Sequence, residues 1–178
     1  KFKEINFNYL KLFLVAYILE LVDKFTKPNK TEKKIFSLIL KTLESIEEYG
    51  TGRAFIVLYA FIIKFISFLG YAHEMLYCVN CNKKIKGQTV FFNIKNSSVI
   101  CLDCHQNKSF GGSRIEFQTY KLLLLLLYKN FNFWKGEKKI AVKTLKEAVE
   151  FIDRLAQWHI DEEIFSGKVL RQFIKIYE

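Results

Sequence analysis

The chain has 178 residues, 51% of them hydrophobic, so it can bury a substantial core in one or two compact units. Eight Gly and one Pro argue against long disordered linkers, and 18 Phe and nine Tyr indicate a helical protein with an aromatic core. The formal net charge of +10 favours an acidic partner, such as nucleic acid, an anionic protein tail or a lipid headgroup surface. Lysines scattered over solvated helix faces would give the same charge.

Three helices are predicted before the first cysteine. Apolar residues recur at helical spacing from Phe7 to about Phe25. A second helix is predicted from Thr31 to about Ile46, and Gly50-Thr51-Gly52 then breaks the helical pattern. The third helix, from about Arg53 to Leu69, is the most apolar segment of the chain.

The third helix also has the composition of a membrane span. The segment from Ala54 to Ala72 carries one charge, Lys64, and has about the length required to cross a bilayer. A lysine at that depth would be costly in hydrocarbon, and the first cysteine follows closely. A helix buried on all sides by its neighbours has the same composition, and we expect this second arrangement, with no membrane contact.

All four cysteines fall into two Cys-x-x-Cys pairs, a spacing typical of a zinc site. Together the pairs complete the tetrahedron that zinc prefers and leave no position open for a catalytic water, so the metal would be structural. The predicted Zn²⁺ ligands are Cys78, Cys81, Cys101 and Cys104. Two disulfides are the alternative, but they suit small secreted domains, and the N-terminus has no cleavable signal layout.

A β-hairpin is predicted between the cysteine pairs. Thr89–Ile94 is rich in β-branched and aromatic residues, and Ser97–Ile100 leads into the second pair. His105 follows the fourth cysteine, and we expect it to be a bystander rather than a fifth ligand.

Helical patterns resume after the second cysteine pair. They cover Ile115 to Tyr128, Lys143 to Trp158 and Gly167 to Tyr177, with an aromatic turn at Phe131–Trp134. The predicted fold class is therefore mainly α, a helical bundle with an inserted four-cysteine zinc-ribbon β-hairpin. We expect N-terminal helices over residues 1–77, the zinc-ribbon insertion over 78–108 and C-terminal helices over 109–178.

Basic residues gather around the predicted ribbon. From Asn82 to Arg114, six basic residues face one acidic residue, Asp103, which gives +5 in that window. Such a cluster can neutralise DNA phosphates with a strong salt dependence. The candidate DNA-binding residues are Lys83, Lys84, Lys86, Lys95, Lys108 and Arg114. The interleaved Phe91, Phe92 and Phe110 could stack on unpaired bases, or they could pack the ribbon against the helices while the lysines solvate it.

The residues around the first cysteine pair resemble a known family. The run from Leu69-Gly70-Tyr71 to Cys78-Val79-Asn80-Cys81 is similar to the Leu-Gly-Tyr-x-Pro-x-Leu-x-x-Cys-x-x-Cys signature of bacterial RecO, a DNA repair and recombination mediator. Cys101–Cys104 falls where that family has its second pair. Tyr17–Leu21 resembles the family's early-helix motif, and Ser166–Leu170 resembles its closing segment without the usual arginine. The signature proline is also absent, and Glu74 stands in its neighbourhood.

The resemblance implies a non-enzymatic role in the bacterial cytoplasm, at the nucleoid. RecO proteins usually begin with an OB-fold β-barrel, and nothing before Phe7 could form one. We therefore expect this chain to correspond to the central helical and zinc-bearing part. The resemblance implies binding to single-stranded and duplex DNA and to the acidic C-terminal tail of single-strand binding protein. It also implies action with RecR to load RecA.

An acidic tail that ends in an apolar residue needs a hydrophobic groove rimmed by basic groups. Arg53 and Lys64, both on the third predicted helix, are the candidates to rim such a groove. Arg53 could equally be held at the helix entry by Glu47 or Glu48.

Catalysis is not expected, because the three histidines have no partner pattern and no Gly-rich phosphate loop is present in the sequence. Two alternatives stand beside a RecO-like mediator. One is a zinc-ribbon scaffold that docks proteins without binding DNA. The other is a membrane-anchored protein with a cytoplasmic zinc ribbon. Solubility without detergent would separate the membrane-anchored protein, and salt-dependent binding to oligonucleotides would separate the other two.

Overall fold

The computed structural model describes residues 2–26, 33–71, 75–86, 89–108, 111–136, 139–159, 164 and 166. In chain order, the helices and strands are α1 (Lys3–Phe7), α2 (Tyr9–Phe25), α3 (Lys33–Glu48), α4 (Thr51–Phe68), β1 (Thr89–Asn93), β2 (Ser98–Cys101), α5 (Leu102–Lys108), β3 (Ser113–Glu116), α6 (Phe117–Tyr128), a 3-10 helix (Phe131–Trp134) and α7 (Val142–His159). This confirms the predicted fold class, a mainly helical protein with a small antiparallel sheet. The last predicted helix, Gly167 to Tyr177, lies outside the described residues.

The chain forms two compact units. Unit 1 contains the described residues up to Ile62, the segment 130–136, and residues 164 and 166. Unit 2 contains the described residues from Ile63 to Lys129 and from 139 to 159. All four cysteines belong to unit 2.

Helices α1, α2 and α3 build the larger part of unit 1. The apolar face of α2 is fully buried at Leu14, Ile18 and Leu21, as its helical spacing predicts. Helix α1 was not predicted, because its short run has no apolar period. It is held by the Glu47 carboxylate, which accepts hydrogen bonds of 2.9 Å from the backbone N–H groups of Glu4 and Ile5. Burial acts to raise the pKa of Glu47, but these N–H donors and the charge of Lys11 lower it overall.

The 3-10 helix is held in unit 1 by the residues that join α3 to α4. Tyr49 donates a hydrogen bond from its hydroxyl to the carbonyl oxygen of Phe131, at 3.1 Å. Arg53 donates from Nη1 to the carbonyl oxygen of Lys135, at 3.0 Å, and the Lys135 ammonium forms an ion pair with Glu48. The aromatic turn predicted at this position therefore exists as a 3-10 helix with Trp134 buried.

Helix α4 has the length and composition of a membrane span. Among the described residues it is the one helix that meets both criteria, with a mean hydropathy of 1.6. More than half of its residues are buried, including Leu58, Phe61 and Phe65, as in the core helix of a globular protein. Thr51 and Gly52 lie in its first turn, so the break predicted across Gly50-Thr51-Gly52 is confined to the residues before Thr51.

Unit 2 contains a three-stranded antiparallel sheet in the order β2-β1-β3. Val90 of β1 pairs with Cys101 of β2 on one side and with Ile115 of β3 on the other. The predicted hairpin is β1 and β2. The sequence did not predict β3, because its apolar residue, Ile115, also fits the start of the helical pattern that follows. The buried face of β1 meets α7, where Phe92 and Phe151 pack edge to face at a centroid distance of 4.6 Å.

The end of α7 anchors the turn between β1 and β2. Ser97 lies in that turn with a left-handed φ of 48°, and its hydroxyl lies 2.9 Å from His159 Nε2. The His159 ring also stacks on Tyr71 at a centroid distance of 4.5 Å. Burial lowers the pKa of His159, so the neutral ring is favoured in this contact.

Candidate metal centre and its basic surroundings

The four cysteines lie together at one end of the sheet. Their sulfur atoms are all within 4.8 Å of one another. Cys101 ends β2 and Cys104 lies in the first turn of α5, so the second pair sits at a strand-to-helix junction. Cys78 and Cys104 are buried, whereas Cys81 and Cys101 are partly exposed. The sequence-predicted ligand set is therefore brought together in space.

A tight turn positions the first cysteine pair. The backbone N–H of Asn82 donates to the carbonyl oxygen of Cys78 at 2.9 Å, and Asn82 adopts a left-handed φ of 54°. Asparagine tolerates this conformation better than most residues. The backbone N–H of Val79 donates to the carbonyl oxygen of Val99 at 3.0 Å, which joins this turn to β2.

Hydrogen bonds reach two of the sulfur atoms from the surrounding residues. Asn80 Nδ2 donates to Cys104 Sγ at 3.2 Å, and the backbone N–H of Cys101 donates to Cys78 Sγ at 3.4 Å. Burial acts to raise the pKa of Cys78, but backbone N–H donors from Cys101, Cys81 and Asn80 lower it to about 6. Burial raises the pKa of Cys101. A bound divalent cation would deprotonate such a coordinating thiol.

The geometry fits a closed tetrahedral metal site. With metal–sulfur bonds of about 2.3 Å, the sulfurs of a tetrahedron are about 3.8 Å apart. The Sγ atoms of Cys81 and Cys101 are 3.8 Å apart. Four thiolates would supply a soft ligand set and would saturate a bound ion, so such a site would cross-link the two turns and leave no open position for substrate.

Most of the predicted DNA-binding residues are exposed. Lys83 and Lys84 lie two and three residues after Cys81, and Lys95 lies in the turn after β1. Arg114 on β3 has 62% of its side chain exposed and lies 3.7 Å from Glu116. The exposed members of the predicted set are Lys83, Lys84, Lys86, Lys95 and Arg114. Lys108 is the last residue of α5.

The three interleaved phenylalanines have different surroundings. Phe92 is only 1% exposed and belongs to the core of unit 2. For this residue, the alternative that the phenylalanines pack the ribbon against the helices is correct. Phe91 is half-buried and stacks on His105, with ring centroids 3.6 Å apart and planes 10° apart. Phe110 lies outside the described residues. His105 does not belong to the four-sulfur group, and its contact with Phe91 was not predicted from the sequence.

The two residues predicted to rim a groove have separate contacts. Arg53 lies in unit 1, where its guanidinium donates a hydrogen bond to the carbonyl oxygen of Lys135. Lys64 lies in unit 2, where its ammonium donates to the carbonyl oxygen of Leu127. Burial lowers the pKa of Lys64 to about 8. Their role in binding a partner's tail stays a prediction.

A mainly helical fold with a small sheet, four clustered cysteines and exposed lysines beside them defines a class of helical proteins with a candidate metal site and a basic surface. Within that class, the chain belongs to the family described as Recombination protein O C terminal, whose model matches residues 6–166. The resemblance to RecO is therefore confirmed over most of the sequence.

Several curated relatives are named DNA repair protein RecO. The one from Bacillus pumilus is 30% identical over 164 residues, covering 90% of this chain and 59% of the relative. The one from Bacillus subtilis is 29% identical over 145 residues, covering 80% of this chain and 54% of the relative. The one from Desulforamulus reducens is 28% identical over 124 residues, covering 68% and 47%. The chain thus spans about half the length of the curated relatives it matches.

Proposed function

We propose that this chain is the zinc-bearing part of a bacterial mediator of DNA repair and homologous recombination, and that it binds DNA without catalysing a reaction. The observation that carries the proposal is the family match over residues 6–166 in a chain with exposed lysines beside its four-thiolate site. The mediator binds single-stranded and duplex DNA and the acidic tail of single-strand binding protein. It acts with RecR to load RecA, in the cytoplasm at the nucleoid.

The resident metal in this proposal is a structural Zn²⁺. Four thiolates at tetrahedral spacing are typical of zinc, and the closed shell excludes a catalytic water. Natively purified protein should contain one zinc per chain, and Cys78→Ser should release it. The control is Thr89→Ser, on β1 and outside the four-cysteine set, which should keep its metal. Stoichiometric zinc in Cys78→Ser, measured by elemental analysis, would remove this residue from the site.

The DNA-binding proposal is tested by charge reversal next to the first cysteine pair. Changing Lys83, Lys84 and Lys86 to Glu removes three phosphate contacts, so affinity for duplex DNA should fall. The slope of log affinity against log salt should also become shallower by about 2.7, at about 0.9 per contact. Fluorescence anisotropy across a salt series measures both quantities.

The matched control reverses three exposed lysines of α3, Lys33, Lys34 and Lys41, and so changes the net charge equally. This control should keep most of the affinity and the original slope. Equal losses in the two triple variants would show a non-specific charge effect. A chain that binds no oligonucleotide at any salt concentration would instead favour the protein-docking scaffold.

The groove proposal for Arg53 and Lys64 requires binding of an acidic peptide that ends in an apolar residue. Arg53→Ala should weaken that binding, because the guanidinium is the cation that would meet the peptide carboxylates. Unchanged affinity in this variant, measured by calorimetry, would exclude Arg53 from the site.

A further inference from the structure

We infer that Phe91 and His105 together form a stacking platform for an unpaired nucleobase; this inference rests on the proposed DNA binding and gives it a specific site. The two rings are nearly parallel at a centroid distance of 3.6 Å, and both side chains are only half-buried. The part of these two rings that remains in solvent is the surface on which we expect a base to stack. Every nucleobase has a π face that can stack on such a surface.

Phe91 lies on the face of the sheet that contacts α5, where its partner Ile100 is buried but Phe91 itself is only half-buried. Burial alternates along this strand, and Val90 and Phe92 face the interior while Phe91 points to the opposite face. On the interior face, Phe92 packs on Phe151 of α7. Phe91 is covered only in part by the His105 ring, so some of its surface remains available to contact a ligand.

A cation lies next to the stacked pair. Phe91 is the direct antiparallel partner of Arg114 on β3, so the two side chains lie side by side on the same face of the sheet. The Arg114 side chain is long and 62% exposed, so it can reach a phosphate next to a stacked base. The four sulfurs also bring Lys83, two residues after Cys81, to the same end of unit 2 as His105, which follows Cys104.

This combination of stacked rings and flanking cations fits a single strand rather than a duplex. In a duplex both faces of each base are covered by neighbouring bases, whereas an unpaired base has a free face. An acidic peptide would satisfy Arg114 and Lys83 but would leave the flat ring surface without a matching partner. Single-stranded nucleic acid satisfies both parts of the surface.

The test uses the full 178-residue chain and a labelled oligothymidine, compared with an oligomer of equal length and charge in which the bases are replaced by abasic sites. His105→Ala should weaken binding to the oligothymidine by roughly ten-fold, the range expected for loss of one stacked base. His105→Phe keeps a stacking ring and should bind like wild type. None of these variants should change binding to the abasic strand, which offers phosphates only.

Two further variants separate stacking from general effects. Phe91→Leu should resemble His105→Ala, because it removes the other ring of the pair. Phe36→Leu removes an exposed aromatic side chain of α3, in unit 1, and should bind like wild type. Metal content is measured for each variant, and the comparison of His105→Ala with His105→Phe decides the test if Phe91→Leu does not fold.

The outcomes distinguish this inference from the proposed function. If wild type binds both strands equally, or if His105→Ala binds the oligothymidine like wild type, the platform is excluded while DNA binding through the lysines stands. If wild type binds neither strand, both the platform and the proposed DNA binding are excluded. A loss in His105→Ala that His105→Phe restores, on the intact strand alone, supports the platform.

Discussion

Two lysines, one buried and one half-buried, perform the same task in the two units. Lys11 is only 4% exposed, and its ammonium donates at 2.9 Å to the carbonyl oxygen of Glu47, in the last turn of α3. Lys64 donates to the carbonyl oxygen of Leu127, in the last turn of α6. Carbonyl groups in the last turn of a helix have no partner within the helix and carry its negative dipole end. Each lysine therefore provides a C-terminal cap from a neighbouring helix.

Lys64 should make the stability of the protein depend on alkaline pH. Because burial lowers its pKa to about 8, the unfolded chain holds this proton more tightly than the folded chain between about pH 8 and its ordinary pKa of 10.5. Below about pH 8 the folded protein carries the unfavourable free energy of burying the Lys64 charge. This destabilisation is lost as the pH rises and the buried ammonium loses its proton. Relative to Lys64→Met, wild type should gain about 2 kcal/mol between pH 7.5 and 9.5, measured by urea unfolding.

The control for this prediction is Lys41→Met, at an exposed position of α3. Its free energy of unfolding should follow that of wild type over the same pH range. If wild type and Lys64→Met show parallel curves instead, the pKa of Lys64 is not depressed in the folded protein.

At the residue scale, the sequence predicted which four cysteines come together but not their surroundings. The chain has four cysteines, all at Cys-x-x-Cys spacing, so the sequence offers one candidate set of thiol ligands. The roles of Phe91 and Phe92 could not be assigned, because adjacent strand residues point to opposite faces and the sequence alone does not say which face is buried. The contact of His105 with Phe91 joins a helix to a strand, so no local pattern reveals it.

At the scale of elements, α6 begins with a cap supplied by another helix. Its first residues have no side-chain cap of their own, and the Glu147 carboxylate of α7 accepts from the backbone N–H of Glu116 at 3.1 Å. The other carboxylate oxygen accepts from the hydroxyl of Thr119 at 2.6 Å, and Thr119 is fully buried. This one side chain therefore satisfies two donors at the start of α6 and ties α6 to α7.

Glu147→Ala should lower the free energy of unfolding by about 1 to 2 kcal/mol, since it removes a helix cap and leaves a buried hydroxyl without its acceptor. Glu150→Ala is the control, because Glu150 is exposed on the same helix and helix propensity changes in the same direction. Urea unfolding of the three proteins gives both differences. Equal effects of the two substitutions would mean that the cap contributes nothing.

Periodicity predicted the long helices well and the short elements poorly. Helices α2, α3, α4, α6 and α7 lie within a few residues of their predicted bounds, because each has an apolar face that repeats over several turns. The strand β3 has four residues and a single buried one, Ile115, so its pattern is too short to separate from the start of α6. Its pairing with β1 is a long-range contact that no local preference encodes.

At the scale of the whole molecule, the two compact units are discontinuous in sequence. Residues 130–136 belong to unit 1 although the residues on both sides of them belong to unit 2. Contacts such as the hydrogen bond from Tyr49 to Phe131 join residues far apart in sequence, and composition carries no signal for them. All four cysteines lie in unit 2, so loss of a metal bound by them should affect the two units differently.

Removal of the metal should loosen part of unit 2 and leave unit 1 folded. A four-thiolate site contributes directly to folding, because its binding free energy is available only when the ligands are brought together. Strand β2 and helix α5 carry Cys101 and Cys104, and β1 pairs with β2, so we expect these three elements to depend on that cross-link. Helices α2 and α3 contain no ligand and have a buried apolar face of their own, including Leu14, Ile18 and Ile46.

Hydrogen exchange followed by mass spectrometry, with and without a zinc chelator, measures this difference segment by segment. Amides of β1, β2 and α5 should exchange at least about ten-fold faster after chelation, whereas those of α2 and α3 should keep their protection. The control is chelator already saturated with zinc, which adds the same solute without removing metal. Faster exchange in all helices would show that the metal supports both units. Unchanged exchange in β1 and β2 would show that the sheet folds without it, because its backbone pairing and the Phe92 contact with Phe151 would then be sufficient.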